Sequence, residues 1–545
     1  MSEIATLNAS LSSTVLALEP FFAPKGVAVI GASPKPGNQG KRIMDSLIAQ
    51  GYKGRRVAVH PDGESWSSCQ SVRSVGEIPP NIDLAISAVS AGRVEALIEP
   101  LADQGIHHLI VVSGGFSEIG VEGELLQNKL RNTAKKFGVR IVGPNCLGTF
   151  SASDTFNSFF LSPDETLLPA AGPVALISQS GAFLSAILDQ LAHQEVGVHR
   201  AINFGNRIDV GECEALEAFA ADPAVKVIGI YLESVQNGRR FFELARSITR
   251  DKPIVIYKGG KSEKGSRATQ AHSASLAGSY SVFKAASEQA GMIEVEGLDE
   301  LVKALHILLF DRIPQGKRIL IVSNGGGMGV LLTDLCERQG CVVEEPPLQI
   351  QQEIKHTLPN YYSLKNPIDL TGSGTNEQCA FAVEKLLNTG LYDCLLLVIL
   401  SGTVGINAEI ASRLQQILPT GFPVVIGAYG EKMVSKLNAA FNGKGVPVFS
   451  SGEEAAWAVN FLVRVGIKKL SLKKYSTEAE PIYNSLPLQG WLDHFIAPPD
   501  EMQLKQKLSE CGVPIPQSSP VAKREDLHNL QIKFPMLLKV IGKDI

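Results

Sequence analysis

The sequence predicts an α/β fold with several parallel sheets, because short apolar β-branched runs alternate with longer amphipathic stretches and glycine-rich turns follow many of those runs. The chain has 545 residues, a length that exceeds one hydrophobic core and predicts three or four domains. Glycine supplies 51 residues and aromatic residues only 6%. This composition suits tight strand-to-helix turns and disfavours a nucleic-acid stacking surface.

Charge and cysteine content narrow the class of protein. The formal net charge of −4 predicts no bulk attraction to nucleic acid or to a membrane. The eight cysteines are scattered without a CxxC pair, which predicts reduced thiols in a cytoplasmic protein. The polar N-terminus does not resemble a signal peptide, and no run of about 18 apolar residues predicts a membrane span.

Three series of apolar runs predict the strands. The first series covers 27–30, 57–59, 84–86, 109–112 and 141–142, the second 174–177, 227–232 and 254–257, and the third 319–322, 395–399 and 424–426. Amphipathic stretches such as 40–50 and 91–104 separate them and predict helices. Continuous apolar strands joined by helices indicate parallel sheets covered on both faces.

The series and the polar, proline-rich stretches between them predict the domain division. We expect a flexible N-terminus at 1–19, three α/β domains at 20–150, 165–312 and 315–468, a linker at 469–499 and a further module at 500–545. The chain stops straight after a strand-like run at 534–540, which indicates that this last module is incomplete.

The first candidate site is the turn of Gly31, Ala32 and Ser33, which stands between a predicted strand and a predicted helix. Glycines there let backbone N–H groups approach a phosphate, whose charge the helix dipole favours. The spacing is not a strict G-x-G-x-x-G, so a nucleotide site and a plain tight turn both remain open.

Two further turns follow the fourth and fifth predicted strands. They consist of Ser113, Gly114, Gly115 and Phe116, and of Gly143, Pro144 and Asn145. Ligands bind at the carboxyl ends of strands in parallel sheets, so both turns are candidate ligand contacts. Ordinary tight turns would give the same pattern.

Two helix starts carry small and hydroxyl residues in the second and third series. They are formed by Ser178, Gln179, Ser180 and Gly181, and by Gly325 and Gly326 within a glycine run. Free N–H groups at a helix start suit a phosphoryl group. N-capping by a serine and close helix–strand packing are the structural alternatives.

The stretch 258–278 is basic and rich in small residues, and we expect it to form a loop before a helix. His272 is its only histidine and could act as a nucleophile near neutral pH, although most isolated histidines are structural or solvated. Glu233 ends an apolar strand and could orient an imidazole ring. A solvated surface glutamate is the alternative.

Together and in this order, the motifs over residues 20–545 resemble the nucleoside-diphosphate-forming acyl-CoA synthetases, typified by ADP-forming acetate–CoA ligase and related to succinyl-CoA synthetase. The resemblance implies a CoA-binding Rossmann-like domain at 20–150 and a flavodoxin-like ligase domain with a phosphohistidine at 165–312. It also implies a second flavodoxin-like ligase domain at 315–468. The start of an ATP-grasp domain, incomplete in this chain, would occupy 500–545.

The resemblance also assigns roles to residues. It makes His272 the phosphorylated histidine and Glu233 the residue that orients it. The CoA and acyl site would take the three turns Gly31, Ala32, Ser33, then Ser113, Gly114, Gly115, Phe116, then Gly143, Pro144, Asn145. The phosphoryl group would meet Ser178, Gln179, Ser180, Gly181, Gly325 and Gly326, and Lys539 would bind the nucleotide.

The surroundings of the nucleophile depart from the family pattern. The family usually has Ser-His-Thr-Gly, whereas this chain has Ala271-His272-Ser273-Ala274. The family's usual aspartate after the Ala-Gly-Ser turn is Tyr280 here. The histidine itself is retained, so the implied chemistry is retained with it.

The implied reaction converts acyl-CoA, phosphate and ADP into carboxylic acid, CoA and ATP through an acyl phosphate and a phosphohistidine. It requires CoA and ADP or ATP with Mg²⁺, and it suggests a separate ATP-grasp subunit and a homo-oligomer, without a metal site in this chain. The main alternative is a non-catalytic CoA-binding or regulatory protein. A protein acyltransferase on the same scaffold and an NAD-dependent dehydrogenase explain less of the chain.

Overall fold

The computed structural model describes residues 17–63, 69–162, 164–273, 279–403, 405–441, 443–477, 501–510 and 515, and the side chains of 268, 270–273, 472–477 and 501 lie outside this description. Residues 1–472 form one compact unit and residues 473–545 a second. The second unit is described chiefly by the helix Glu501–Glu510.

The first sheet is parallel and has six strands in the order β3-β2-β1-β4-β5-β6. The strands are β1 Gly26–Ile30, β2 Arg55–Val59, β3 Gln70–Val72, β4 Leu84–Ser87, β5 His108–Val111 and β6 Arg140–Val142. The helices are α1 Gln39–Ala49, α2 Ala91–Val94, α3 Ile98–Asp103 and α4 Val121–Phe137, with 3-10 turns at Glu19–Phe21, Val75–Glu77, Glu95–Leu97 and Ser117–Ile119. This is the strand order of a dinucleotide-binding Rossmann sheet.

The second sheet has seven strands in the order β13-β12-β11-β9-β10-β7-β8. The strands are β7 Gly148–Ser151, β8 Phe156–Asn157, β9 Val174–Ser178, β10 Val198–Asn203, β11 Val227–Leu232, β12 Ile254–Lys258 and β13 Ile293–Glu294. The helices are α5 Gly181–His193, α6 Glu212–Ala221, α7 Gly238–Ile248, α8 Glu263–Ser273, α9 Tyr280–Gln289 and α10 Leu298–Leu308. The five parallel strands follow the flavodoxin-like order, and β7 and β8 extend them antiparallel.

The third sheet is parallel and has the order β15-β14-β16-β17-β18, again flavodoxin-like. The strands are β14 Ile319–Ser323, β15 Ile368–Asp369, β16 Cys394–Ile399, β17 Val424–Ala428 and β18 Val448–Phe449. The helices are α11 Gly326–Glu337, α12 Leu348–Thr357, α13 Asn376–Leu387, α14 Ile410–Ile417, α15 Glu431–Phe441 and the long α16 Gly452–Thr477, and α17 is Glu501–Glu510.

Alternate residues of one strand belong to different hydrophobic cores, because successive side chains point to opposite faces of a sheet. In β9, Ala175 and Ile177 pack in a core shared with the first sheet, whereas Val174 and Leu176 pack in a core shared with the third sheet. The second sheet therefore lies between the other two and carries apolar residues on both faces.

The predicted fold class is confirmed: three α/β sheets are present, and their parallel strands begin within a few residues of the predicted runs. Several strands were not predicted, and the antiparallel pair β7 and β8 departs from the purely parallel expectation. Strand β7 spans the predicted domain end at 150 and pairs with β10 of the second sheet. The other domain boundaries stay predictions, apart from the start of the linker.

Two predictions of local structure are wrong. The loop expected over 258–278 contains the helix Glu263–Ser273, and the linker expected from 469 begins inside the helix Gly452–Thr477. Favourable local contacts account for the first helix: Ser262 Oγ accepts the Gly265 N–H at its start, and Glu263 pairs with Arg267 one turn later. Polar, small-residue composition concealed this helix.

Candidate functional site

The carboxyl edge of the first sheet holds a cavity of about 560 Å³. It lies outside β1, β2 and β4, at the point where the strand order reverses and where ligands bind in such sheets. Gly31 lines it with φ +89°, and a Cβ there would lie 2.9 Å from Val89 Cγ1. Only glycine fits this turn without strain.

The cavity contains two arginines that were not among the predicted contacts. Arg73 and Arg93 both line it and are exposed to solvent. Guanidinium groups bind phosphates through paired N–H donors, so this edge of the sheet suits a phosphorylated ligand. Neither arginine lies in a glycine-rich motif, and no local pattern distinguishes them from ordinary surface arginines.

The turn beside Gly31 is held by Asn38. Its side-chain Oδ1 accepts the N–H groups of Ser33 (3.2 Å) and Lys41 (2.8 Å), and its Nδ2 donates to the Gly31 carbonyl (2.9 Å). Ala32 and Ser33 are both buried. Asn38 thus caps helix α1 and fixes the turn against its N-terminus.

The turns 113–116 and 143–145 meet at the ends of β5 and β6. The Asn145 N–H donates to the Ser113 carbonyl (3.0 Å), and Asn145 adopts φ +59°, a conformation that asparagine tolerates better than most residues. Ser113 Oγ is buried and finds no hydrogen-bond partner within the described part of the chain. Such an orphaned hydroxyl is a potential ligand contact.

The remaining residues of these turns pack within the domain or bind a carboxylate of the chain itself. Phe116 is buried in the core of the first domain, and the N–H groups of Gly115 and Phe116 donate to the carboxylate of Glu118. A Cβ on Gly143 would lie 2.5 Å from the Val111 carbonyl oxygen. Gly143 therefore allows close packing of two strand ends.

A loop from the second sheet closes on these turns. The Asn206 N–H donates to the Pro144 carbonyl (2.9 Å), and a Cβ on Gly205 would lie 2.1 Å from the Asn145 carbonyl oxygen. Next to it, Arg207 is buried and forms an ion pair with buried Glu212 (3.0 Å). The first and second domains thus share one polar junction at their carboxyl edges.

The second sheet reverses its strand order between β9 and β11, and four predicted residues lie there. Ser178 Oγ donates to the Ser180 carbonyl (2.7 Å), and Ser180 Oγ accepts the Phe183 N–H and caps helix α5. Gln179 Oε1 accepts the N–H groups of Glu233 (2.9 Å) and Ser234 (3.1 Å). The capping alternative is therefore realised, at the position where an anion would bind.

Glu233 lies at the end of β11 beside this helix start and is buried. The Tyr231 hydroxyl donates a hydrogen bond to Glu233 Oε1 (3.3 Å). The pKa of Tyr231 is raised, chiefly by burial. Lys258 donates to the Glu233 carbonyl (2.5 Å). Burial lowers the pKa of Lys258, although the charges of Glu233 and Glu294 oppose this shift.

His272 belongs to helix α8, whose Cα atoms come within 8 Å of the 3-10 turn Ser117–Ile119 of the first domain. The helix that carries the candidate nucleophile thus adjoins the 113–116 turn. The His272 side chain lies outside the described part of the structure. Its contact with Glu233 remains a prediction.

The third sheet repeats the helix start between β14 and β16. Ser323 Oγ donates to the Gly325 carbonyl (3.0 Å), and Asn324 Oδ1 accepts the Leu400 N–H (2.7 Å). Helix α11 begins at Gly326, where a Cβ would lie 2.8 Å from Asp369 Oδ2. A carboxylate therefore already faces this helix start.

Metal and nucleotide binding have few candidates in the structure. Among the described residues, no group of three or more His, Cys, Asp or Glu side chains could hold a metal ion. Lys539, the predicted nucleotide contact, and the rest of 516–545 lie outside the described residues. None of the described helices is long and apolar enough to cross a membrane.

Comparison with protein families identifies three regions of the chain. Residues 25–151 match the CoA binding domain, residues 171–308 match the succinyl-CoA ligase like flavodoxin domain, and residues 319–460 match the ligase-CoA domain. Each matched region contains the parallel strands of one of the three sheets, and their order is the order that the resemblance implies.

Relatives in archaea match most of the chain. It is 34% identical to acetate–CoA ligase [ADP-forming] I subunit alpha of Pyrococcus furiosus over 82% of this chain and 98% of that protein. It is also 34% identical to acetate–CoA ligase [ADP-forming] I of Archaeoglobus fulgidus over 84% of this chain. The match spans 64% of that longer relative.

Solved structures agree with these relatives. The acetyl-coenzyme A synthetase 1 of Ca. Korarchaeum cryptofilum, solved in complex with phosphate and ADP, is 29% identical to this chain. It covers 84% of this chain and 98% of its own, with a TM-score of 0.75. The chain therefore belongs to the NDP-forming acyl-CoA synthetases, the family of the ADP-forming acetate–CoA ligases.

Proposed function

We propose that this chain carries the CoA-binding and phosphohistidine part of an NDP-forming acyl-CoA synthetase. The complete reaction would interconvert acyl-CoA, phosphate and ADP with a carboxylic acid, CoA and ATP. The observation that carries the proposal is the junction of the first two sheets. There the helix bearing His272 adjoins the Ser117–Ile119 turn, which follows the 113–116 turn. Glu233 and the helix start capped by Ser180 lie together at the edge of the second sheet.

The first sheet suits CoA as the substrate that enters this junction. Gly31 allows backbone approach, and Arg73 and Arg93 line the cavity beside it with positive charge. The orphaned Ser113 hydroxyl stands at the end of β5, next to the turns that face the second domain. We assign the nucleotide end of CoA to the cavity and its thioester end to the 113–116 and 143–145 turns.

Two group transfers would follow in this part of the enzyme. An oxygen of phosphate attacks the thioester carbonyl, the C–S bond breaks, and CoA leaves as the thiol after taking a proton. A nitrogen of neutral His272 then attacks the phosphorus of the acyl phosphate, the O–P bond breaks, and the carboxylate leaves. Glu233 would accept a hydrogen bond from the other ring N–H, and the helix start at Ser180 would stabilise the phosphoryl charge.

Transfer of the phosphoryl group from His272 to ADP requires an ATP-grasp domain, which binds the nucleotide and Mg²⁺. We propose that a separate ATP-grasp subunit completes the enzyme, in line with the subunit alpha relative of Pyrococcus furiosus. A homo-oligomeric assembly and a cytoplasmic location also remain proposals. The cytoplasmic location is supported by seven buried free cysteines among the described residues.

The test is phosphorylation of the chain in the forward half-reaction. Purified protein is incubated with acetyl-CoA and ³²P-labelled phosphate, and acid-labile, base-stable label is counted. We expect label in the wild type and in His356→Ala, which removes an exposed histidine from helix α12. We expect no label in His272→Ala.

Equal labelling of the wild type and His272→Ala would overturn the assignment of the nucleophile. A wild type that binds CoA by calorimetry yet takes no label, even with an ATP-grasp protein present, would favour the non-catalytic CoA-binding alternative. Transfer of the label to ADP only after such a protein is added would establish the division of labour.

A further inference from the structure

Glu118 acts as an internal anion for the 113–116 turn. Its Oε1 atom accepts the N–H of Gly115 at 2.6 Å and the N–H of Phe116 at 3.1 Å. Two successive N–H groups that converge on one oxygen form the kind of backbone concavity that binds anions. In this protein the chain itself supplies the anion, from the 3-10 turn that follows.

Asn206 connects the same carboxylate to the second domain. Its Nδ2 donates to Glu118 Oε2 (2.6 Å) and to Gln127 Oε1 (3.0 Å). Its Oδ1 accepts a longer hydrogen bond from Asn145 Nδ2 (3.4 Å). Hydrogen bonds from Asn206 and from the turn's N–H groups hold the pKa of Glu118 below its usual range, although burial alone would raise it.

Gly114 packs closely against two of these polar side chains, Glu118 and Asn145. A Cβ at this position would come within 3.0 Å of Glu118 Oε1 and 3.3 Å of Asn145 Oδ1. Glu118 and Asn145 therefore both lie against Gly114 of the 113–116 turn, and Asn206 links their side chains. We call this arrangement of Glu118, Asn145 and Asn206 the polar clasp.

The polar clasp also adjoins the helix that carries His272. Cα atoms of helix α8 approach the Ser117–Ile119 turn, which contains Glu118. The same short segment thus contacts the turn assigned to the acyl group and the helix assigned to phosphoryl transfer.

We infer that Glu118 is a positioning residue for acyl transfer, which holds the Gly115 and Phe116 backbone so that the acyl phosphate forms facing the helix of His272. The inference rests on the proposed function. It predicts that loss of the Glu118 carboxylate affects the rate of the chemistry more than it affects CoA binding, because the nucleotide end of CoA is assigned to the cavity at Gly31, which lies on other strands.

The test compares Glu118→Ala, Glu118→Gln and the control Glu122→Gln, which neutralises an exposed carboxylate four residues away. The initial rate of ³²P labelling is measured against acetyl-CoA concentration, and CoA affinity is measured by calorimetry. We expect the maximal labelling rate of Glu118→Ala to fall at least 10-fold, while the Kd for CoA changes less than 3-fold. Glu118→Gln retains an acceptor oxygen, so we expect it to recover part of the rate, and Glu122→Gln should match the wild type.

Hydrogen–deuterium exchange of peptides covering 113–119 gives a readout that does not depend on activity. We expect faster exchange in Glu118→Ala than in Glu122→Gln. An unchanged labelling rate in Glu118→Ala, or a loss of labelling, CoA binding and Tm together, would overturn the inference. A wild type without label would instead overturn the proposed function, and unchanged exchange in Glu118→Ala would then still reject the role of Glu118.

Discussion

The second and third sheets present the same helix start with different chemistry around it. In both, a serine at the end of the first strand donates to the carbonyl two residues later: Ser178 to Ser180, and Ser323 to Gly325. In both, the next residue, Gln179 or Asn324, accepts backbone N–H groups from the end of the neighbouring strand with its side-chain amide oxygen. The five parallel strands of each sheet also follow the same order, so the two domains share one scaffold.

Strand register identifies the positions that differ. Ser178 pairs with Tyr231 and Ser323 pairs with Val398, so Glu233 of the second sheet corresponds to Leu400 of the third. Similarly, Lys258 lies beside Leu232 and corresponds to Ala428, which lies beside Ile399. The buried acid and the buried lysine occur together in one domain and are both replaced by apolar residues in the other.

The opposite neighbouring strand shows the reverse difference. Asn203 and Asp369 occupy corresponding positions, opposite Ser178 and Ser323. A neutral amide therefore faces the helix start at Gly181, whereas a carboxylate faces the helix start at Gly326. Since a helix N-terminus favours negative charge, the third domain supplies a carboxylate for its own helix, and we propose that the phosphoryl group takes that role in the second.

The largest expected effect on the labelling rate comes from replacing a residue of the second domain with its counterpart in the third. Glu233→Leu introduces the residue found at the corresponding position, Leu400, and removes the side chain assigned to orient His272. We expect the labelling rate to fall roughly 100-fold, equal to about 2.7 kcal/mol in activation free energy. The ³²P assay measures it, and a rate within twofold of the wild type would remove Glu233 from the mechanism.

Substitution of the two corresponding amide residues distinguishes an effect on stability from an effect on labelling. Gln179→Ala leaves two buried N–H groups without an acceptor, and Asn324→Ala leaves one part-buried N–H group without one. We therefore expect each to lower the free energy of unfolding by on the order of 2 kcal/mol. Only Gln179→Ala should also reduce labelling, because Gln179 holds the backbone of Glu233. Chemical denaturation and the labelling assay distinguish the two, and an equal effect of both on labelling would contradict the comparison.

The smallest effect concerns the pH dependence of stability. Burial lowers the pKa of Lys258 in the folded state, so the unfolded chain binds more protons between that pKa and about 10.4. The contribution of Lys258 to stability therefore becomes more favourable as pH rises through this window. We expect the Tm of the wild type to rise relative to the Tm of Lys258→Met as the pH increases from 8 to about 10.4.

Lys432→Met removes an exposed lysine from helix α15 and serves as the control. Its Tm difference from the wild type should not follow the same trend. A flat difference for Lys258→Met across this range would show that the ammonium group of Lys258 is not destabilised by burial.

The sequence by itself determined the α/β class, the three series of buried strands and the glycine turns after them. These features depend on local physics: a strand buried on both faces must be apolar along its length, and a tight turn before a helix requires glycine or a capping residue. The position of the turns at the carboxyl ends of the strands followed directly from these patterns. The family resemblance was likewise contained in their order.

Tertiary structure decided which side chains meet. Strand β10 was not predicted because His199 and Arg200 interrupt its apolar pattern, and their partners Asp222 and Glu19 come from other parts of the chain. Without that strand, the Asn203 and Asn206 contacts were not foreseeable. The polar clasp around Gly114 and the replacement of Glu233 by Leu400 depend in the same way on domain contact and strand register, which bring together residues far apart in the chain and leave no local pattern.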